Sequence, residues 1–246
     1  MTPLLSAHGI TVRYGSLAAL DGVDLRIEPG QRHGLIGPNG AGKTTLLDVL
    51  AGSTRAGGRV LLAGRDVTRL GPAARSRRGI GRIHQRPAVW STLTVRENVL
   101  VAALPRAVRP GRWHPSARRR AAERTADALL TRVGLEEIAA LPAGQLAHGQ
   151  RRQVEIAMGL AGRPRLLLLD EPAAGLSAVE VAWLGEFLRT LPRAVGVLLV
   201  EHRLDLVYAL CDTVTVLRDG RTLATGSPAR IRASGPVREA YAEGVA

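Results

Sequence analysis

The stretch Gly37-Pro38-Asn39-Gly40-Ala41-Gly42-Lys43-Thr44 decides the fold of this 246-residue chain. It fits the pattern G-x-x-x-x-G-K-[ST] of a phosphate-binding loop. A predicted strand over residues 31–36 precedes it, and a predicted helix over residues 42–51 begins within it. Glycines let the backbone curl so that successive N–H groups point to one centre, and the helix N-terminus adds partial positive charge. The loop is therefore predicted to bind phosphate groups, rather than to be a ligand-free glycine-rich turn.

The side chains of this loop predict the chemistry of its ligand. Lys43 is the only lysine in a chain with 34 Lys plus Arg, which indicates a position that needs a compact ammonium. It is predicted to reach the β- and γ-phosphates of a nucleotide, and the Thr44 hydroxyl to ligate magnesium. The predicted nucleotide contacts of the loop are Gly37, Pro38, Asn39, Gly40, Ala41, Gly42, Lys43, Thr44 and Thr45.

A second motif is an apolar strand over residues 166–169 that ends in Asp170 and Glu171. Asp170 is predicted to hold magnesium, directly or through water, and Glu171 to polarise the attacking water as a general base. A strand-ending aspartate that only caps the next turn is the alternative. It is disfavoured because a phosphate-binding loop precedes the motif.

Composition and charge narrow the class of protein. The chain is 46% hydrophobic and 22% charged, as globular proteins are, and it contains no apolar run near the roughly 20 residues of a spanning helix. It begins without a basic-then-apolar leader, so we expect a soluble chain of the cytoplasm. The net charge of +13 has two explanations, a coding bias for arginine or an anionic partner. Aromatic residues are only 3%, which disfavours stacking on nucleic-acid bases. We expect Trp90, Trp113 and Trp183 to pack in the core or in the helical part of the chain rather than at a ligand site, and Cys211 to be a small buried hydrophobe.

The order of predicted elements gives the fold class. Strands dominate the start, helices occupy about residues 94–162, and strands alternate with helices afterwards. Thr94 and Glu97 have the spacing of a capping box, and Asp219-Gly220 predicts a hairpin turn. The proline-rich residues 104–115 read as a loop. We therefore predict an α/β fold in which a helical subdomain is inserted into a mixed sheet with an antiparallel β region.

Together these motifs resemble those of the ATP-binding cassette (ABC) ATPases, and the resemblance covers nearly the whole chain. Leu146-Ala147-His148-Gly149-Gln150 ends 20 residues before Asp170 and is similar to the family signature Leu-Ser-Gly-Gly-Gln. Gln85 resembles the Q-loop glutamine and His202 the switch histidine. Tyr14 is similar to the aromatic residue that stacks on adenine, and residues 174–177 occupy the D-loop position.

The resemblance implies a P-loop ATPase that binds ATP and Mg²⁺. Its implied catalytic residues are Glu171, His202 and Gln85, and its implied metal ligands are Thr44, Gln85 and Asp170. The signature residues Ala147, His148, Gly149 and Gln150 are implied to contact ATP held by a second subunit. Three positions depart from the family pattern: Ala147 stands for Ser, His148 for Gly and Ser177 for Asp. The ATP site that this signature completes is thus expected to hydrolyse ATP more slowly than usual, or to be one of an unequal pair of sites.

The signature region (residues 144–157) and the tail (residues 226–241) are similar to those of branched-chain amino acid importers. Urea and amide importers share this sequence pattern, and lipopolysaccharide-export ATPases share part of it. This similarity implies a single nucleotide-binding domain with a core (1–88 and 163–226), a helical subdomain (89–162) and a tail (227–246). The implied partners are a second ATPase subunit, membrane permeases and a periplasmic or extracellular binding protein, with no nucleic acid. The implied location is the cytoplasmic face of a bacterial membrane. A soluble, non-transport cassette ATPase is the alternative from another class.

Overall fold

Two sheets organise the computed structural model, which describes residues 2–85, 88–104 and 115–242. The strands are β1 (Leu5–Tyr14), β2 (Leu17–Ile27), β3 (Arg32–Ile36), β4 (Gly57–Leu62), β5 (Arg65–Asp66), β6 (Ile80–Ile83), β7 (Leu166–Asp170), β8 (Gly196–Val200), β9 (Thr213–Arg218) and β10 (Arg221–Gly226). The helices are α1 (Lys43–Ala51), α2 (Pro72–Arg78), α3 (Val95–Ala103), α4 (Pro115–Val133), α5 (His148–Ala161), α6 (Ala178–Thr190), α7 (Leu204–Leu210), α8 (Pro228–Ala233) and α9 (Gly235–Ala242). Short 3-10 helices cover Glu136–Ile138 and Ala143–Gln145.

The larger sheet has the strand order β10-β9-β3-β8-β7-β6 and is parallel apart from its β9–β10 hairpin. The smaller sheet, β2-β1-β4-β5, is antiparallel throughout. The predicted α/β class with an antiparallel region is therefore confirmed. Because the carboxyl ends of β3, β6, β7 and β8 meet at one edge, the loops that follow these strands converge there.

Strands β7 and β8 of the larger sheet are buried on both faces, which explains their continuous apolar sequences. In β7, Leu167 and Leu169 belong to one hydrophobic cluster with residues of α3–α7, whereas Leu166 and Leu168 belong to a second cluster with α1 and the smaller sheet. All four side chains are fully buried. The period-two alternation of strand side chains thus divides one leucine run between the two layers of the core.

Helices α3, α4 and α5, which follow β6 and precede β7 in the sequence, pack against one another. The capping box predicted at the start of α3 is present, because the Glu97 N–H donates to Thr94 Oγ1 at 3.1 Å and the Thr94 N–H donates to Glu97 Oε2 at 2.8 Å. Residues 105–114, most of the predicted loop, lie outside the described residues. No helix within the described ranges has the length and apolar content needed to cross a membrane.

Two buried arginines show that part of the arginine excess is structural. Arg75 donates to the carbonyl oxygens of Val49 and Leu50 at 2.5 and 2.8 Å, at the end of α1. Arg32 donates to the carbonyl oxygens of Leu188 and Leu191 at 2.9 and 3.2 Å, at the end of α6. Each guanidinium is an additional donor to carbonyl oxygens of a helix C-terminus, where i+4 backbone donors are missing, and it complements the negative end of the helix dipole.

Two elements between residues 63 and 78 were not predicted from the sequence, which reads there as a polar stretch. Strand β5 has only two residues, and α2 begins at Pro72 after Gly71 and ends before Gly79. Proline at the first helical position and glycine just past the last one are the signals that could have revealed α2. The Asp219-Gly220 hairpin turn is as predicted, with positive φ angles of 50° and 71°.

Candidate functional site

The phosphate-binding loop joins β3 to α1, and its glycines are sterically required. A Cβ on Gly37 would lie 2.1 Å from the carbonyl oxygen of Leu217, and a Cβ on Gly42 would lie 2.6 Å from that of Ala19. Both residues also have positive φ angles, of 151° and 96°. The backbone can therefore curl against the sheet only because these positions carry no side chain.

Lys43 lies inside this curl. Its Nζ donates to the carbonyl oxygens of Gly37 and Pro38, both at 2.8 Å, and the residue is only 6% exposed. Burial lowers the pKa of Lys43, while the negative charges of Glu171 and Asp170 raise it. The ammonium is thus held where anionic phosphate oxygens could replace the two carbonyl oxygens.

Glu171 is held by the other two predicted catalytic side chains. Gln85 Nε2 donates to Glu171 Oε2 at 2.7 Å, and His202 Nε2 lies 2.8 Å from Glu171 Oε1. Glu171 has a φ angle of 45°, in the left-handed region that a glutamate rarely adopts. Backbone strain of this kind concentrates at functional sites. The structure therefore brings Glu171, Gln85 and His202 together.

Asp170, at the end of β7, makes an ion pair that the sequence did not predict. Its Oδ2 lies 3.2 Å from a guanidinium nitrogen of Arg82, which also contacts Asp48 at 2.5 Å. Burial raises the pKa of Asp170, and the contacts with Arg82 oppose that shift. Arg82 comes from β6, the strand paired with β7, so only the sheet topology reveals this pair.

The predicted metal ligands fit a magnesium ion by their chemistry. Thr44, Gln85 and Asp170 offer hydroxyl, amide and carboxylate oxygens, which are the hard donors that Mg²⁺ prefers. Asp170 is 4% exposed, so its carboxylate is shielded from solvent. Three ionisable side chains of this region, Lys43, Asp170 and Glu171, are close enough for their charges to interact.

A cavity of about 460 Å³, a size typical of small-molecule sites, lies between the phosphate-binding loop, Glu171 and His202. It is lined by Tyr14, Leu17, Ala18, Ala19, Asn39, Gly40, Ala41, Gly42, Lys43, Thr44, Thr45, Glu171, His202, Asp219 and Gly220. Tyr14 and Leu17 are 55% and 65% exposed and give the cavity an apolar portion. An aromatic ring, a phosphate-binding loop and a carboxylate–imidazole pair therefore share one space, which could hold the base and the phosphates of a nucleotide.

The signature residues lie elsewhere, at the start of α5, and they do not line this cavity. His148 Nε2 lies 3.2 Å from the carbonyl oxygen of Ala174, and the Ala147 N–H donates to Gln150 Oε1 at 3.0 Å. A Cβ on Gly149 would lie 1.8 Å from Glu180 Oε1. The signature thus packs against the segment that follows β7, away from the phosphate-binding loop of its own chain.

Glu201, directly after β8, is a further buried carboxylate at the carboxyl edge of the larger sheet, and no role was predicted for it from the sequence. It is 3% exposed, and it accepts hydrogen bonds from the N–H groups of Ala173 at 2.7 Å and His202 at 3.1 Å. It therefore ties the loop after β7 to the loop after β8. A carboxylate between an apolar strand and a histidine is the signal that could have identified it.

A strand, a curled glycine loop and a helix, with carboxylates at the end of a parallel strand one position removed in the same sheet, define a P-loop nucleotide hydrolase. A model of the ABC transporter family matches residues 20–174, and the chain belongs to that family. It is an ATPase whose hydrolysis of ATP is coupled to transport.

Relatives and solved structures agree with this assignment. The chain is 39% identical to a high-affinity branched-chain amino acid transport ATP-binding protein, BraF, of Pseudomonas aeruginosa, over 97% of both chains. It is 38% identical to the corresponding protein LivG of Escherichia coli K12, again over 97% of both. Among solved structures, an ATP-binding cassette of an ABC transporter in its ADP conformation superposes with a TM-score of 0.85, at 28% identity, over 98% of this chain and 99% of the other.

Proposed function

We propose that this chain energises the import of branched-chain amino acids, or of related amino acids or amides. The similarity to BraF and LivG supports the substrate class, because it extends over 97% of both chains rather than over the nucleotide motifs alone. The observation that supports hydrolysis at this site is the Glu171 carboxylate held between Gln85 and His202.

In the proposed reaction, the phosphate-binding loop and Lys43 hold the phosphates of ATP, and Tyr14 stacks on adenine. Glu171 orients a water molecule and accepts its proton as the water oxygen attacks the γ-phosphorus. The bond between the γ-phosphorus and the β,γ-bridging oxygen breaks, which releases ADP and phosphate. His202 contacts the γ-phosphate and holds one oxygen of Glu171, and Gln85 holds the other.

The metal fits this scheme as an electrostatic partner of the phosphates. Thr44, Gln85 and Asp170 would hold Mg²⁺, which neutralises the negative charge of the β- and γ-phosphates when it is bound. Arg82 fixes one oxygen of Asp170 through the ion pair at 3.2 Å and thereby orients the carboxylate.

The signature does not line the cavity of its own chain, so a second ATPase subunit is proposed to supply one. Two chains, identical or sisters, would place ATP between the loop of one and residues 147–150 of the other. The nucleotide-binding core is proposed to comprise residues 1–88 and 163–226, with a helical subdomain at 89–162 and a tail at 227–246.

The proposed contact with the membrane permease is a groove beside Gln85. Residues of both the core and the inserted helices line this cavity of about 360 Å³, including Pro72, Ser76, His84, Ala102, Glu155 and Met158. Docking there would place the chain at the cytoplasmic face of the membrane and would connect the permease with the segment that carries Gln85.

The substrate class is tested by reconstituting the chain with its permeases and binding protein in lipid vesicles. We expect leucine-loaded binding protein to stimulate ATP hydrolysis and leucine uptake several-fold, whereas ribose should have no effect. Stimulation by a sugar or by a lipid A precursor, with no response to branched-chain amino acids or amides, would contradict the proposal.

A further inference from the structure

An arginine inside the inserted helices contacts the segment that carries Gln85. Arg152 lies on α5 and is 0% exposed. One guanidinium nitrogen donates to the carbonyl oxygen of His84 at 2.6 Å, and the other donates to that of Gln85 at 2.5 Å. These two carbonyls follow the end of β6, where the ladder with β7 has stopped. A side chain of α5 therefore replaces the missing sheet partner at that point.

Glu155, one turn further along α5, completes the contact. Its Oε2 accepts from Arg152 at 2.5 Å, and its Oε1 accepts from the His84 N–H at 3.2 Å. It also accepts a hydrogen bond from the Ala88 N–H. Glu155 is 4% exposed. The two side chains thus bind backbone donors and acceptors at His84, Gln85 and Ala88.

A buried ion pair of this kind is weak evidence for stability, because desolvation of the two charges opposes their attraction. The hydrogen bonds of this pair end on the backbone of the segment after β6 and fix the orientation of that backbone. The same segment carries Gln85, whose side chain donates to Glu171 at 2.7 Å. A continuous series of contacts therefore runs from Arg152 through Gln85 to Glu171.

The same helix begins with the signature. His148 is the first residue of α5, and Arg152 follows four residues later, on the same face of the helix. Any rotation of α5 as a rigid element must move the signature and the backbone of Gln85 together, provided that the Arg152 hydrogen bonds persist.

We infer that Arg152 and Glu155 are positioning residues that anchor the Gln85 segment to the signature helix, so that α5 and the backbone of Gln85 move as one unit and Gln85 transmits that movement to its contact with Glu171. The inference rests on the proposed roles of Gln85 and Glu171 in hydrolysis. It assigns the two residues no contact with nucleotide.

The first test compares two buried arginines in the full-length chain. Arg152→Met should raise the exchange rate of the His84 amide hydrogen at least about 10-fold and lower kcat at least about 10-fold. ATP affinity measured without metal should change less than about twofold, because the phosphate-binding loop is not touched. Arg152→Lys, which can still donate to one of the carbonyls, should recover part of kcat. Arg32→Met is the matched control, since Arg32 is equally a buried donor to backbone carbonyls, at the end of α6.

The second test asks whether Arg152 acts through Gln85. If it does, the double variant Arg152→Met/Gln85→Ala should hydrolyse ATP no more slowly than Gln85→Ala alone. Multiplying losses would overturn the inference, as would His84 exchange that rises equally in Arg32→Met or not at all in Arg152→Met. Wild-type hydrolysis by Gln85→Ala would instead overturn the proposed role of Gln85, and His84 exchange would still decide whether the anchor exists.

Discussion

Glu171 Oε1 lies 2.8 Å from His202 Nε2, and the two residues follow neighbouring parallel strands. The register of these strands pairs Asp170 with Val200, so the two strands end at the same level of the sheet. The Glu171 N–H donates to the carbonyl oxygen of Val200 at 2.9 Å, which continues the pairing one step past the strand end. The strained Glu171 backbone then turns its carboxylate toward the imidazole. The contact is thus a consequence of sheet register.

The first prediction concerns this carboxylate. Glu171→Gln preserves the shape and the contacts but removes the base, so ATP should still bind while hydrolysis falls by roughly 10²-fold or more. The variant should accumulate as an ATP-bound dimer, which size-exclusion chromatography with ATP and magnesium would detect. Glu186→Gln, at an exposed carboxylate on α6, should hydrolyse ATP normally. A Glu171→Gln chain that stays fully active and monomeric at saturating ATP would refute the assignment.

Lys43 supports a second prediction. Its ammonium is 6% exposed and fits between two carbonyl oxygens of the loop, a space that a planar guanidinium exceeds. Both Lys43→Ala and Lys43→Arg should therefore lose ATPase activity and bind ATP at least about 10-fold more weakly, as measured with a fluorescent analogue. Normal turnover in Lys43→Arg would show that the site needs only a positive charge.

The parts of this site that could be predicted from the sequence are those whose residues lie close together along the chain. The phosphate-binding loop and the Asp170-Glu171 pair depend on neighbours within a few residues, so their motifs are legible in the sequence. The contact of Arg82 with Asp170 spans 88 residues and that of Arg152 with Gln85 spans 67. Such contacts are set by strand order and helix packing, and an arginine-rich sequence does not distinguish them from surface charges.

The burial of individual side chains followed the sequence-based expectation only in part. Trp90 was expected to pack in the core or in the helical subdomain, but it does not lie in the core, because the residue is 49% exposed. Trp183 does pack in the core region, with its ring centroid 5.2 Å from that of Phe187. The expectation that Cys211 is a small buried hydrophobe is confirmed, since it is 7% exposed and burial raises the pKa of its thiol to about 12. Trp113 lies outside the described residues.

A third prediction addresses the departure at Ala147. Ala147 is the N-cap of α5 and has no side-chain oxygen to accept from the helix N-terminus. Ala147→Ser would supply that acceptor for the Gln150 N–H and should stabilise the chain by about 0.5–1 kcal/mol in urea unfolding. If the hydroxyl also reaches the γ-phosphate held by a second subunit, the ATP-bound dimer of the Glu171→Gln chain should dissociate more slowly.

The N-cap of α6 provides the reverse control. Ser177 accepts from the Glu180 N–H at 3.4 Å, so Ser177→Ala should destabilise the chain by a similar amount. A more stable Ala147→Ser chain with an unchanged dimer lifetime would assign the hydroxyl to capping alone. An Ala147→Ser chain with neither effect would contradict both parts of the prediction.

The last prediction concerns pH. His33 on β3 is 1% exposed, its Nε2 lies 2.8 Å from Thr215 Oγ1, and burial lowers its pKa from 6.5 to about 4. The folded chain therefore keeps this imidazole neutral. As the pH falls below 6.5, the unfolded chain binds a proton that the folded chain binds only near pH 4. The contribution of His33 to the free energy of unfolding should thus fall by about 2 kcal/mol between pH 7 and pH 5.

Replacement of His33 by glutamine isolates this effect, because the side-chain amide can still bond to Thr215 but does not titrate. Urea unfolding at pH 7, 6 and 5 should give a steeper loss of stability for the wild-type chain than for His33→Gln, with the difference absent above pH 7. His8→Gln, at a largely exposed histidine, should leave the wild-type slope unchanged. Parallel pH profiles for wild type and His33→Gln would mean that the imidazole takes up its proton in the folded chain as readily as in the unfolded one.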